Sequence, residues 1–234
     1  MQTATLTQPQ KAQSTRITPA IISATAVTSA AQAKVVHQPF RHWLFKDLLH
    51  PDVCRAITTL PIALAPVEDT YGKRDSHNDL RRLFSPAMQE QHPVMRDVAD
   101  AFQSEAVVRA IEKLCGVSFK GSYLRIEYCQ DSNGFWLEPH MDIKEKFITI
   151  QLYLNTGSDA ATLGTDLYDK DKKPFSTAPS VLGDGMAFLP KEPESWHGFE
   201  KRPIAEVRRS LIINYVTDDW RSMHELSFPD RKIS

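Results

Sequence analysis

The chain contains no run of about 18 apolar residues, which excludes a membrane-spanning helix of ordinary length. It also lacks a dominant charge: the formal net charge is −1, so the protein as a whole offers no attractive field to a polyanion such as DNA. Cysteine is scarce and odd in number. Cys54, Cys115 and Cys129 lie far apart and form no Cys-x-x-Cys pair, which argues against a zinc knuckle, a redox motif or a disulfide framework. Three buried free thiols in a reducing, cytoplasmic setting are expected. Acidic residues are missing from the start of the chain. The first is Asp47, so residues 1–46 carry +5 and the remainder −6. With 41% hydrophobic and 24% charged residues in 234, what is present is the composition of an ordinary globular domain.

Residues 1–36 are rich in Thr, Ala, Gln and Ser, too poor in large apolar side chains to build a core alone. The stretch Thr18–Ala33 follows Lys11 and Arg16 and ends in Ala-Gln-Ala, a small-residue pattern like that of a cleavage site. It has no Leu, Phe or Met and is broken by Ser and Thr. The expectation is therefore an uncleaved low-complexity tail (1–36), partly helical or disordered, with an amphipathic helix over Pro19–Ala33. A single domain then spans 37–234, with a β core at about 120–217.

Within that domain the first half reads as helical. Pro51, with Asp52 behind it, opens a helix that Pro61 closes near Leu60. Residues 66–92 are polar and read as a long loop carrying Arg74, Arg81 and Arg82. Pro93–Phe102 has helical spacing, and Ser104 caps a further helix that Gly116 ends. Beyond Gly116 the period becomes two. Tyr123, Arg125, Glu127 and Cys129 alternate with Leu124, Ile126 and Tyr128. Phe147–Asn155 places Ile148, Ile150, Leu152 and Leu154 on one face. Shorter runs at Thr165–Tyr168 and Gly185–Leu189 and a strong one at Val207–Val216 complete at least five strands. Helices followed by strands define an α+β fold whose sheets form a sandwich or small barrel.

Three residues carry candidate chemistry. His140 and Asp142 form His-x-Asp, and His197 lies 55 residues beyond Asp142. On an extended segment, residues two apart project to the same side and can converge on one ion. Two imidazoles and a carboxylate are the donor set that holds non-haem Fe(II) on one face. Taken alone, His-x-Asp is a common pattern, and a surface histidine and a packed one are equally good readings of His140 and His197. Arg208 and Ser210 add weight: an arginine in the apolar Leu211-Ile212-Ile213 strand is expensive to bury unless a fixed anion meets it. A guanidinium holds a carboxylate bidentately, and Ser210 falls on the same face. Arg209, with Leu211, falls on the other.

In order and spacing, the string His140-x-Asp142, Leu152-Tyr153-Leu154-Asn155, Gly164-Thr165 with Leu167, Gly185 before Ala187-Phe188-Leu189, His197-Gly198 and Arg208-x-Ser210 resembles the Fe(II)- and 2-oxoglutarate-dependent dioxygenases. The resemblance covers about Tyr123 to Tyr215. It implies a double-stranded β-helix, a jelly-roll or cupin-like barrel with supporting N-terminal helices. It implies Fe(II) on His140, Asp142 and His197, with 2-oxoglutarate and O2 as co-substrates and succinate and CO2 as co-products. Arg208 would hold the distal carboxylate of 2-oxoglutarate, Ser210 would assist, and Arg209 would replace Arg208 if the strand register slipped by one. Tyr123 is a further co-substrate candidate. Arg125, Tyr128, Trp136, Glu138 and Arg81 are substrate candidates, with packing or exposed-turn roles as the alternatives. The carboxylate of Asp142 favours hydroxylation over halogenation, since related halogenases have a small residue there.

The implied substrate is a small polar molecule, such as an amino acid or sugar derivative, with neither nucleic acid nor membrane as partner. Residues 159–173, rich in Asp and Lys, read as an external loop on the barrel rim. Two other classes fit the residues less fully. A cupin-like metalloenzyme would need no 2-oxoglutarate, and a silent jelly-roll binding module would need no metal.

Overall fold

Gly116 divides the molecule. Its φ of +76° stops a helix in the left-handed conformation that glycine adopts without strain, and everything that follows is built from strands. A computed structural model describes residues 17–64, 71–73, 81–190 and 194–234. Before the glycine come α1 (Pro19–Ala31), β1 (Lys34–Val36), β2 (His42–Phe45), α2 (Pro51–Thr58), β3 (Arg81–Leu83), α3 (Pro86–Gln91), α4 (Pro93–Gln103) and α5 (Glu105–Cys115). After it come β4 (Tyr123–Asp131), β5 (Leu137–His140), β6 (Lys146–Tyr153), β7 (Asp166–Tyr168), β8 (Pro174–Thr177), β9 (Gly185–Phe188), β10 (His197–Phe199) and β11 (Arg208–Val216).

The helix signals act where the sequence places them. Pro51 opens α2, and the His50 ring accepts the Asp52 N–H at 3.2 Å. Ser104 caps α5 through the Val107 N–H. The stretch read as a loop over 66–92 contains β3 and α3. Arg81-Arg82-Leu83 has no strand signal of its own and is extended only because it pairs with Cys129, Tyr128 and Glu127 of β4. Arg74 lies outside the described residues, as do Lys11 and Arg16.

The expected division at residue 36 does not coincide with a break in packing. Ile22, Ala26 and Ala30 of α1 are buried in the same core as α4, α5 and the sheet, and β1 pairs with β2. Small residues at i, i+4 and i+8 form a narrow stripe that lets α1 lie close on its neighbours, so a segment too poor in apolar mass to fold alone is ordered by docking.

Eleven strands form two antiparallel sheets. The larger has the order β1-β2-β9-β6-β11-β4-β3 and the smaller β5-β10-β7-β8. Among the described residues the two are stacked rather than joined into a hydrogen-bonded barrel. One face of the large sheet presents Leu124, Ile126, Tyr128, Ile148, Ile150, Leu152, Leu211, Ile213 and Tyr215 to the helices, all nearly inaccessible to water. Each such side chain contributes about 1.5 to 3 kcal/mol on burial. Tyr215 stacks on Phe119 at 4.6 Å and donates its hydroxyl to Phe102 O at 2.6 Å, tying β11 to α4.

Cys54 and Cys115 sit in this core, and burial pushes the Cys54 thiol up to about 12 and the Cys115 thiol upward too. All three cysteines are buried and unpaired with one another. The segment read as a rim loop, 159–173, is largely structured: Leu163, Thr165 and Asp166 are buried and β7 runs through it, leaving residues 170–173 as its exposed turn.

Candidate functional site

Between the two sheets lies a cavity of about 500 Å3. Its floor is the second face of the large sheet, formed by the residues that alternate with the helix-facing core. Cys129 and Asp131 come from β4, Thr149 and Gln151 from β6, and Arg208, Ser210 and Ile212 from β11. Its roof comes from the small sheet, with Leu137 and His140 of β5 and His197, Gly198 and Phe199 of β10. Asp142, Thr165, Phe135 and Arg81 of β3 complete the lining. Most of this interior is polar, which a buried surface tolerates only when its groups are paired or meet a ligand.

The expected metal ligands are brought together by pairing. His197 lies opposite His140 in the β5–β10 register, and their ring centroids are 4.4 Å apart. The close strand approach depends on Gly198, where a Cβ would stand 2.8 Å from Leu137 O and 3.0 Å from Glu138 O. His140 Nδ1 is 2.9 Å from Glu138 O, and His197 Nδ1 is 2.9 Å from Ser195 O. A carbonyl only accepts, so both Nδ1 atoms carry the proton and both Nε2 atoms carry the lone pair. That is the tautomer a metal-ligating histidine needs.

Asp142 follows β5 by two residues and reaches across to the large sheet. Thr149 Oγ1 donates to its Oδ2 at 2.5 Å, and Lys146 Nζ donates to its Oδ1 at 2.6 Å. Among the described residues, no three His, Cys, Asp or Glu side chains already stand as a closed ligand set. The donor chemistry is that of an N,N,O site, with the carboxylate turned onto Lys146.

At the other end of the cavity, Arg208 is 4% exposed. Its Nε donates to Leu163 O at 2.8 Å and its Nη1 to Asp131 Oδ2 at 2.5 Å, and the guanidinium lies over the Phe199 ring at 4.6 Å. Asp131 is the residue directly opposite Arg208 in the β4–β11 register. Ser210 is fully buried on the cavity wall, and its Oγ has no hydrogen-bond partner. An orphaned hydroxyl beside an arginine is a vacancy for an acceptor, and a carboxylate fits it. Arg209 is on the opposite face, beside Tyr128, where its charge partly offsets the burial that raises the Tyr128 hydroxyl pKa.

Several sequence candidates fall elsewhere. Tyr128 belongs to the helix-facing core, because an even position on β4 points away from the cavity. Tyr123 shares the inner face but lies at the far end of β4, opposite Val216 and under Lys232 Nζ at 5.3 Å, outside the cavity lining. Arg125 is locked to Glu127 at 2.8 Å and Glu225 at 2.6 Å beneath Trp220. Trp136 is half-buried against the Gly72 backbone. Glu138 has an exposed side chain and contributes its backbone, donating to Gly72 O at 3.0 Å and orienting His140. Arg81 does line the cavity, 3.4 Å from Glu127 Oε2. The sequence reading passed over Lys146, Thr149 and Asp131. Lys146 and Thr149 lie four and seven residues after Asp142, whereas Asp131 is linked to Arg208 only by strand register.

Two facing antiparallel sheets with an interior site between them and helices behind the larger sheet make this a double-stranded β-helix. Solved hydroxylases share that fold. A prolyl-4-hydroxylase from Pseudomonas putida superposes with a TM-score of 0.52 at 18% identity, covering 87% of this chain and 99% of its own. One from Phytophthora capsici gives 0.57 at 12% identity, covering 90% and 69%. A Trichoplax adhaerens prolyl hydroxylase, solved with a peptide fragment of the hypoxia inducible factor oxygen degradation domain, gives 0.53 at 12% identity, covering 86% and 91%. No family model and no curated protein matches the sequence.

Proposed function

We propose that the protein is an Fe(II)- and 2-oxoglutarate-dependent dioxygenase that hydroxylates an unactivated C–H bond of a small polar substrate. The observation that carries this reading is the co-location of His140, Asp142, His197, Arg208 and the orphaned Ser210 hydroxyl on one cavity between the sheets. The shared fold with hydroxylases supports the reaction class. His140 Nε2, His197 Nε2 and a carboxylate oxygen of Asp142 would hold the iron. Bound iron with 2-oxoglutarate supplies the oxidising chemistry, giving succinate and CO2 as co-products.

The chain's own residues bind, orient and exclude water. Arg208 presents its remaining guanidinium edge to the distal carboxylate of 2-oxoglutarate, and Ser210 Oγ donates to the same group. Phe199 beneath the guanidinium keeps its plane fixed. Phe135, Leu137, Phe199 and Ile212 give the cavity a dry lining, which strengthens each polar contact inside it. The carboxylate of Asp142 favours hydroxylation. Three reduced, buried cysteines suit a cytoplasmic location. Among the described residues no helix is long and apolar enough to cross a membrane.

The test is succinate formation from 2-oxoglutarate with Fe(II), measured alone and with free amino acids, sugar acids and prolyl peptides. Turnover that requires iron and disappears in His140→Ala is expected, with the largest stimulation from a small polar compound. Stimulation by prolyl peptides alone would replace the small-molecule reading, and iron-independent behaviour would end the dioxygenase reading.

A further inference from the structure

Asp142 is held at both oxygens by two different kinds of donor. Lys146 brings a charge: its ammonium is 2.6 Å from Oδ1, and the two side chains are only 5% and 3% exposed. Thr149 brings a neutral hydroxyl to Oδ2 at 2.5 Å. Asn214 Nδ2 donates to that hydroxyl at 2.9 Å and to Ile148 O at 3.2 Å. The hydroxyl that gives its proton to Asp142 thus takes one from β11, so its direction is fixed by the sheet. Lys146 is fixed as well, because its backbone N–H closes the turn onto Ile143 O at 3.2 Å at the entrance to β6.

A carboxylate this far from water needs a counter-charge. In the chain as it stands, that charge is the lysine. A divalent ion placed between Asp142 and the two imidazoles would supply the same charge to the same carboxylate and would face the ammonium at short range in a medium of low polarity. Resting on the iron reading above, we propose that Lys146 and Thr149 are positioning residues that act on metal affinity in opposite directions. Lys146 keeps the ligand set assembled before the metal arrives and competes with it for Asp142 afterwards. Thr149, which adds no charge, holds the carboxylate in the orientation the metal uses. The site is therefore built to stay folded while empty, and it binds its ion less tightly than two imidazoles and a carboxylate alone would.

The opposed signs separate this from a purely structural role, in which both losses would weaken binding. The experiment is a calorimetric titration of the full chain, stripped by chelator, with Co(II). Lys146→Met and Lys146→Gln are expected to bind Co(II) about tenfold tighter than the unaltered chain, Thr149→Val about tenfold weaker, and Thr149→Ser as the unaltered chain does. Lys146→Arg, which keeps the charge, should bind as the unaltered chain does. Melting adds a second readout: stripped Lys146→Met should melt lower and gain more from Co(II). Lys146→Gln, which keeps a donor to Asp142, guards against a failure of Lys146→Met to fold. If the unaltered chain binds Co(II) and loses it in His197→Ala while the uncharged Lys146 variants bind no tighter, the competition is wrong and the metal site stands. If no form binds Co(II), the metal site falls and the proposal with it.

Discussion

The two faces of the large sheet are made by the same strands and differ in almost every other respect. On β4, β6 and β11, one set of alternate residues is Leu, Ile and Tyr against helices, and the other is Arg, Glu, Asp, Thr, Gln, Ser and Asn around a cavity. Strand geometry forces this sharing, because successive side chains point to opposite sides. The consequence is a division of labour by residue parity. Packing on one face supplies the stability that a polar interior on the other face does not, and site residues can be spaced for binding because they are not asked to fill volume.

The change expected to break this division most severely is Arg208→Ala. It removes the co-substrate anchor and also leaves Asp131 buried without its counter-charge, so a loss of about 3 to 5 kcal/mol of stability is expected alongside loss of 2-oxoglutarate binding. Denaturant unfolding of Arg208→Ala and of the double variant with Asp131→Asn checks it: the double variant should recover much of the stability and none of the binding. Ile213→Ala, on the helix face of the same strand, is expected to cost about 2 to 5 kcal/mol through the cavity it leaves, with 2-oxoglutarate affinity unchanged in the folded fraction. Ser210→Ala is the converse case. Its hydroxyl has no partner, so stability should move by less than about 0.5 kcal/mol. Calorimetry should nonetheless find 2-oxoglutarate bound more weakly by about 1 kcal/mol, or roughly fivefold.

The smallest effect concerns pH. His42, on the neighbouring strand β2, is buried, and desolvation holds its pKa below the ordinary 6.5, against a weaker opposing pull from its contact with Phe40 O. The unfolded chain takes up this proton first. Its contribution is therefore complete above about pH 6.5 and is lost as pH falls through that value toward the lowered folded pKa. Unfolding free energy should decline between pH 7.5 and 5.5 in the unaltered chain and decline less in His42→Gln.

How much of this was legible in the sequence depends on whether the relevant signal was local. The alternation in β4, β6 and β11 is strong because one face is uniformly apolar, and it assigned Arg208 and Ser210 to one side and Arg209 to the other. The short strands carry no such signal. β3 is Arg-Arg-Leu, β5 contains a proline, and β10 is His-Gly-Phe; each is extended because a neighbour holds it there. His140, Asp142 and His197 were visible through the ordered string of motifs. Asp131 was not, because nothing in a linear reading says that it stands across from Arg208. The same parity argument that placed Arg208 correctly should have withdrawn Tyr128, which lies on the alternate set with Leu124 and Ile126.

Charge in the interior comes in matched sets: Arg208 with Asp131, Lys146 with Asp142, Arg81 and Arg125 with Glu127, and Arg125 also with Glu225. Four cations face four carboxylates at close range, and fields of this kind cancel within a short distance. A dianion approaching from solvent feels neither a basic funnel nor an acidic barrier until it is close to Arg208. Its capture then depends on unguided diffusion, and the association rate should change little with ionic strength.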